Sequence, residues 1–213
     1  MTENLENQLQ KLEAYKQNFF DLAKQMFEPN KVYLYPLDLL ANAVMDRALS
    51  LIFGFTSQIR AINFTCAAPL IRIHLDNVLR FYAAYISVEP HEFTMKVFKG
   101  EHIRNLKDKD GKKMSDRYLV DKMSVEHPWM KNVYEETSGY IHLSNKHIFN
   151  SSKLEDAENK ILAFSISQQD RWVTEENMVE ATNCMIRISD LLYEYLYGWN
   201  CTKRLTPIDN KES

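Results

Sequence analysis

Hydrophobic residues recur at helical spacing along most of the chain, and one stretch, residues 62–87, is apolar on nearly every side. Projected at about 100° per residue, the apolar positions of residues 70–86 cover most of a helix circumference. A helix of this kind is buried by several neighbours, so we predict that this stretch forms the central helix. Pro69 removes a backbone donor inside it. The helix therefore either starts near Ala67 or, as we favour, runs from residue 62 with a kink at residues 65–69.

The segments on either side are amphipathic and end at turn residues. They predict helices at residues 4–27, 37–58, 89–98, 115–124 and 129–147, and a last helix from Thr174 to a terminator at Gly198. The periodicity changes after His147, and two short runs, 148–153 and 160–167, favour a hairpin. The chain is thus predicted to be mainly all-α, a bundle of about five to seven helices with one small β-hairpin near residues 148–167. We expect a single domain over residues 1–201 and a disordered polar tail over residues 202–213.

Composition narrows the class of protein. The 213 residues are 45% hydrophobic and 12% aromatic, which argues against disorder. The net charge of −3 gives no global basic signal for nucleic acid. The three cysteines are an odd number and far apart, as is typical of free thiols in a reducing compartment. The N-terminus has no apolar signal segment, and charges inside residues 62–87 are costly in a bilayer. We therefore expect a cytoplasmic protein without a membrane span.

Motifs for common chemistries are missing from the sequence. It contains no phosphate-binding glycine loop, no His-Glu-x-x-His pair and no Gly-x-Ser-x-Gly elbow, so we predict no cofactor and no metal site. Residues 99–113 carry six Lys or Arg against three Asp or Glu, and they form either a solvated connecting loop or a phosphate-contacting loop. Four aromatic residues near the end of the last helix favour core packing or a homodimer face over base stacking: Tyr193, Tyr195, Tyr197 and Trp199.

The first candidate site is a stripe of charges on the central helix. Arg72, Asp76 and Arg80 are four residues apart, so they share one face and Asp76 can pair with either arginine. If the face is exposed, each pair stabilises the fold by only about 0.3–0.5 kcal/mol. If it is interior, the charges need compensation, and a buried charged cluster is a candidate site. Both interpretations stay open, and the apolar surroundings add weight to the second.

The second candidate is on the predicted helix 129–147. Ser138 and His142 are four residues apart and share a face, one turn after Tyr134. His142 lies at the polar edge of the helix. Three roles are open for it: a solvated or capped residue, a general base or anion-holding group, and a metal ligand together with His147.

These two segments carry a family resemblance. Leu70-Ile71-Arg72-Ile73-His74-Leu75-Asp76 resembles the "Leu-hydrophobic-Arg-x-x-x-Glu" helix of a family of uncharacterised bacterial helical proteins. Tyr134-x-x-x-Ser138-x-Tyr140-Ile141-His142 resembles a later helix of that family. The family is similar to HEPN-type domains, compact helical bundles that often form dimers. The resemblance covers about residues 37–199, and it implies that the two helices bring their polar residues together.

Many HEPN proteins are metal-independent ribonucleases with Arg, four to six residues and then His on one helix. None of the six histidines here has an arginine at that spacing, and Asp76 stands in place of Glu. The leading hypothesis is therefore a HEPN-like binding or interaction module that forms a homodimer. The alternative is a ribonuclease of toxin or phage-defence type in which His142 is the general base and Arg72 stabilises the phosphate. RNA or a nucleotide is a candidate ligand, a protein partner is not identified, and the candidate binding residues are Asp76, Arg80, Tyr134 and Ser138.

Overall fold

The computed structural model describes residues 2–28 and 33–205, and it confirms a mainly helical chain with one small antiparallel hairpin. The elements are α1 (Glu3–Glu13), α2 (Tyr15–Met26), α3 (Pro36–Arg60), α4 (Phe64–Ile86), α5 (Pro90–Phe98), α6 (Asp116–Met123), α7 (Trp129–Ile141), α8 (Asn145–Ser151), β1 (Ser152–Asp156), β2 (Ile161–Phe164) and α9 (Glu175–Arg204). There are more helices than predicted because two predicted helices are divided, one at Ala14 and one after Ile141.

Helix α4 is the centre of the bundle, as its apolar circumference predicts. It packs against α3, α9 and α7, and Leu75, Val78 and Leu79 are fully buried. The side chain of Asn63 caps its N-terminus by accepting from the Cys66 N–H at 3.0 Å. The helix therefore begins between the two predicted starts and continues through Pro69.

Helix α3 runs alongside α4 at close range. A Cβ atom added at Gly54 would lie 3.4 Å from Leu70 Cδ1, so this glycine marks a close helix contact. By length and composition alone, α3 could also cross a membrane. Its residues Ala48, Ile52 and Phe55 are instead part of the helical core. A cytoplasmic location stays a prediction.

Helix α9 passes through Gly198 and ends at Arg204, so the predicted terminator is wrong. Tertiary contacts hold this end in place. The buried Lys203 ammonium donates to the Met26 carbonyl and to the Asp38 carboxylate, each at 2.8 Å. Trp199 Nε1 donates to the same carboxylate at 2.7 Å. The predicted tail therefore starts too early at residue 202, and residues 206–213 lie outside the described part of the chain.

The hairpin lies within residues 148–167, as predicted, but its first strand begins later in the chain than expected. Helix α8 takes up residues 145–151, and β1 pairs with β2 with Leu154 opposite Leu162 and Ser152 opposite Phe164. Large apolar side chains of α8 and the hairpin are exposed. We call them the hairpin surface: Ile148, Phe149, Leu154, Leu162 and Phe164.

Candidate functional site

The charged stripe of α4 lies at the edge of the core, between the two predicted extremes. The side chains of Arg72, Asp76 and Arg80 are 13%, 19% and 23% exposed. Asp76 pairs with Arg80 at 2.7 Å, one helical turn further on. Such partly buried charges require partners, and neighbouring helices supply them.

Helix α6 supplies a second carboxylate. Ser115 caps this helix by accepting from the Tyr118 N–H, which places Asp116 in the first turn, where acids are favoured. Asp116 accepts from Arg72 Nη2 at 3.1 Å and from Arg80 Nη2 at 2.6 Å. Burial alone would raise the pKa of Asp116, but the charges and hydrogen bonds of Arg80 and Arg72 outweigh burial and lower it. Asp116, not Asp76, is therefore the partner of Arg72.

Helix α3 supplies a third arginine. Arg47 Nη1 donates to Asp76 Oδ2 at 3.2 Å and to Asn77 Oδ1 at 2.8 Å. Burial opposes the charge of Arg80, but Asp76 and Asp116 more than offset it and raise the pKa of Arg80. We call the five charged side chains the α4 charge network: Arg47, Arg72, Asp76, Arg80 and Asp116. Three positive charges against two negative charges leave this network with a net charge of +1.

Helix α7 brings the second candidate group to the network. The ring of Tyr134 stacks against Arg72, with 4.2 Å from the guanidinium carbon to the ring centroid. This cation–π contact and the hydrogen bond to Asp116 hold the guanidinium beside the Tyr134 ring. One turn later, the Ser138 hydroxyl donates to the Tyr134 carbonyl at 2.6 Å. The hydroxyl oxygen of Ser138 keeps accepting capacity for a ligand.

The prediction of one helix over residues 129–147 is wrong, because α7 ends at Ile141 and His142 is extended, with φ −115° and ψ 152°. Ser144 causes the break. Its hydroxyl donates to the Gly139 carbonyl at 2.7 Å and also caps α8 by accepting from the Lys146 N–H. His142 consequently leaves the helix axis at the exposed end of α7.

Residues from α3, α4 and α7, with His142, line a pocket of about 340 Å³ that is open to solvent, which we call the α4–α7 pocket. Its lining residues are Arg47, Arg72, Ile73, Asp76, Tyr134, Ser138, Ile141 and His142. It brings together Arg72 and His142, and with them Asp76, Tyr134 and Ser138, across about 70 residues of sequence. Arg80 lies outside this pocket and lines a neighbouring one beside Asp116.

His147 is not part of this pocket. It lines a different pocket, and its Nδ1 accepts from the Ser144 N–H at 3.3 Å. The pairing of His142 with His147 as metal ligands is therefore not supported by the geometry. Among the described residues, no group of three His, Cys, Asp or Glu side chains could hold a metal ion.

A buried histidine lies on the core side of the charge network. His74 is fully buried, and its Nε2 is 2.9 Å from Ser189 Oγ. The Ser189 hydroxyl donates to the Met185 carbonyl, so Nε2 carries the proton and donates to Ser189. Burial, and after it the positive charge of Arg47, lowers the pKa of His74 to about 3. His74 is therefore neutral at pH 7 and adds no charge to the network.

Neither the role of Arg47 nor the contact made by Asp116 is predictable from the sequence pattern. Ser115 and the acid after it predict the start of a helix. The sequence does not predict that this helix start lies beside α4. Arg47 is one of several polar residues on the outer face of a predicted helix.

The α4–α7 pocket offers two guanidinium groups, an aromatic wall and an exposed histidine. Asp76 is already paired with Arg47 and Arg80, so its negative charge is compensated. This arrangement suits an anionic group that has a flat or apolar part. No protein-family model matches the chain, and no curated protein or solved structure matches it either. The functional argument therefore rests on the geometry of the pocket.

Proposed function

We propose that this protein is a HEPN-like binding module whose α4–α7 pocket binds a phosphate-bearing ligand, either a nucleotide or one phosphodiester of an RNA. The observation that carries the proposal is the stacking of Arg72 on Tyr134 in a pocket that also holds Arg47 and His142. A planar guanidinium in a fixed orientation recognises phosphate by paired N–H donors.

Arg72 retains donors for such a ligand. Among the described residues, only Asp116 accepts a hydrogen bond from Arg72, through one of its five N–H groups. Arg47 is exposed and uses only Nη1 in its contacts with Asp76 and Asn77. The net charge of +1 in the surrounding network favours a monoanionic group such as a phosphodiester.

The pocket volume supports a small ligand. Its 340 Å³ is at the lower end of the range of about 300–1,000 Å³ that is typical of small-molecule sites. This space suits a phosphate with one sugar or base. Tyr134 and Ile141 provide the surface against which the base or sugar packs.

Binding of a fluorescein-labelled single-stranded RNA, with unlabelled AMP as competitor, tests the proposal by fluorescence anisotropy. Arg47→Gln removes an exposed charge from the pocket, and Arg117→Gln removes an exposed charge from α6 outside it. We expect Arg47→Gln to weaken RNA binding about tenfold, or about 1.4 kcal/mol, and Arg117→Gln to leave it nearly unchanged. Equal effects of the two substitutions, or no binding by the wild type, would overturn the proposal.

The proposal includes a homodimer. The hairpin surface supports it, because contiguous exposed apolar side chains are typical of surfaces that pack against a partner. A two-stranded hairpin is also marginally stable by itself and gains from a partner. A symmetric dimer would bury the same surface of both copies.

A metal-independent ribonuclease is the second candidate, because Arg72 and His142 line one pocket although no single helix carries both. His142 would take the proton of a ribose 2′-hydroxyl, whose oxygen attacks phosphorus. The bond to the 5′ oxygen breaks, giving a 2′,3′-cyclic phosphate and a 5′-hydroxyl that takes its proton from water. Arg72 would stabilise the added charge on the phosphoryl oxygens.

Incubation of mixed RNA with the wild type and with His142→Ala, both in EDTA, tests this activity. The candidate predicts cleavage by the wild type and at least a hundredfold slower cleavage by the variant, the usual scale of general-base catalysis. Equal cleavage by the two proteins, or none by either, would rule out the ribonuclease activity, and the binding module would remain as the proposed function.

A further inference from the structure

A second pocket, of about 690 Å³, lies along α9, and we call it the α9 pocket. Helix α9 forms one wall, and the C-terminal half of α4, the start of α5 and the connection from α6 to α7 form the others. The residues that the argument uses are Phe81, Tyr85, Glu126, Glu194, Tyr195 and Trp199.

Aromatic rings form much of this wall and are held in place by one another. The Tyr195 ring lies 5.6 Å from that of Tyr85 and 5.7 Å from that of Tyr82, both at 67°. Trp199 is fixed by its hydrogen bond to Asp38 and meets the His91 ring edge-on at 5.5 Å. The pocket is thus lined by aromatic rings in a fixed arrangement, and the faces of such rings carry partial negative charge.

The charged side chains that line the pocket are of one sign. Glu126 and Glu194 line the pocket, and the described residues that line it include no lysine or arginine. Burial, and after it surrounding acidic groups that include both glutamates, raises the pKa of Tyr195. Both charged side chains that line the pocket in the described part of the chain are therefore negative.

The pocket also holds an unsatisfied polar atom. His91 Nδ1 is buried and has no hydrogen-bond partner among the described residues. Buried polar atoms are nearly always paired. This one is inaccessible to solvent, so it lies behind the pocket surface and ligand binding does not depend on it.

We propose that the α9 pocket binds a small organic cation, an alkyl- or arylammonium compound free in solution. The ring faces attract a cation, the two carboxylates balance its charge, and the apolar walls pack against its carbon atoms. An anion would be repelled by both glutamates. This inference does not depend on the α4–α7 pocket.

Isothermal titration with choline and with benzyltrimethylammonium tests the inference, and 3,3-dimethyl-1-butanol serves as the neutral analogue of choline. We expect the wild type to bind at least one of the two cations, and choline about tenfold more tightly than the neutral analogue if choline is the one bound. Glu194→Gln and Tyr85→Leu change exposed side chains, and each should weaken cation binding severalfold.

Glu176→Gln is the matched control, because Glu176 is an exposed acid in the first turn of the same helix, far from the pocket. It should bind the cation as the wild type does. No saturable binding of either cation would overturn the inference. Equal affinity for choline and its neutral analogue, or equal effects of Glu194→Gln and Glu176→Gln, would overturn it as well.

Discussion

His74 makes the stability of the fold depend on pH in a way that can be calculated. Its ring is fully buried between α4 and α9, and its pKa is lowered from 6.5 to about 3. In the unfolded chain His74 takes up a proton below about pH 6.5, whereas in the folded protein it stays neutral down to about pH 3. The group therefore favours unfolding increasingly as the pH falls through this window, and has no such effect above pH 7.

The size of the effect follows from this difference. One proton taken up only by the unfolded state reduces the free energy of unfolding by about 1.4 kcal/mol per pH unit. Between pH 7 and pH 5, His74 should therefore remove about 2 kcal/mol of stability. Other groups such as Asp116 also titrate on acidification, so the wild type must be compared with a variant that lacks only His74.

His74→Gln is that variant, because a glutamine amide can donate to Ser189 without titrating. Urea unfolding followed by far-UV circular dichroism, at half-unit steps from pH 7.5 to pH 5, gives the free energy of unfolding of the wild type and of the variant. We expect the wild type to lose about 2 kcal/mol more than the variant over this range. The same pH slope for both proteins would refute the burial of a neutral His74.

Other parts of the structure give further predictions. Lys203→Met leaves the buried Asp38 carboxylate without its cation and should cost about 3–5 kcal/mol in urea unfolding, whereas Lys131→Met, at an exposed position, should change stability by less than about 0.5 kcal/mol. Equal losses would show that the Lys203 pair is not buried. Leu162→Glu places a charge on the hairpin surface and should convert the proposed homodimer to a monomer in light scattering without loss of helix. A wild-type monomer at high protein concentration would contradict the dimer.

The hydrophobic pattern was sufficient to predict the fold class and the central place of α4, because a helix that is apolar on nearly every side has to be buried. Local hydrogen bonds set the first limit, which concerns where the predicted helices begin and end. Ser144 ends α7 and starts α8 within a segment whose apolar periodicity continues across the break. Ser144 is followed three residues later by His147, whose side chain can reach back to Ser144, and this pattern predicts a helix N-terminus. The break between α7 and α8 is therefore predictable from the sequence.

Contacts between distant segments set the second limit, which concerns the partners of the charged residues. The sequence showed that Arg72, Asp76 and Arg80 share a face, since helical spacing is local information. The partners of these residues come from 44 and 29 residues away, through Asp116 and Arg47. Likewise, the sequence pattern places Lys203 in a polar tail. It is buried because α9 packs against α2 and α3.

Chemical footprinting of His142 tests most directly whether the α4–α7 pocket is a binding site. Diethylpyrocarbonate modifies exposed histidines, and mass spectrometry gives the rate at each one. His142 lines the pocket, whereas the exposed His102 lines a different one. We predict that saturating AMP or a short RNA slows the modification of His142 and leaves that of His102 unchanged. Unchanged modification of His142, or equal protection of both residues, would contradict a phosphate ligand in this pocket.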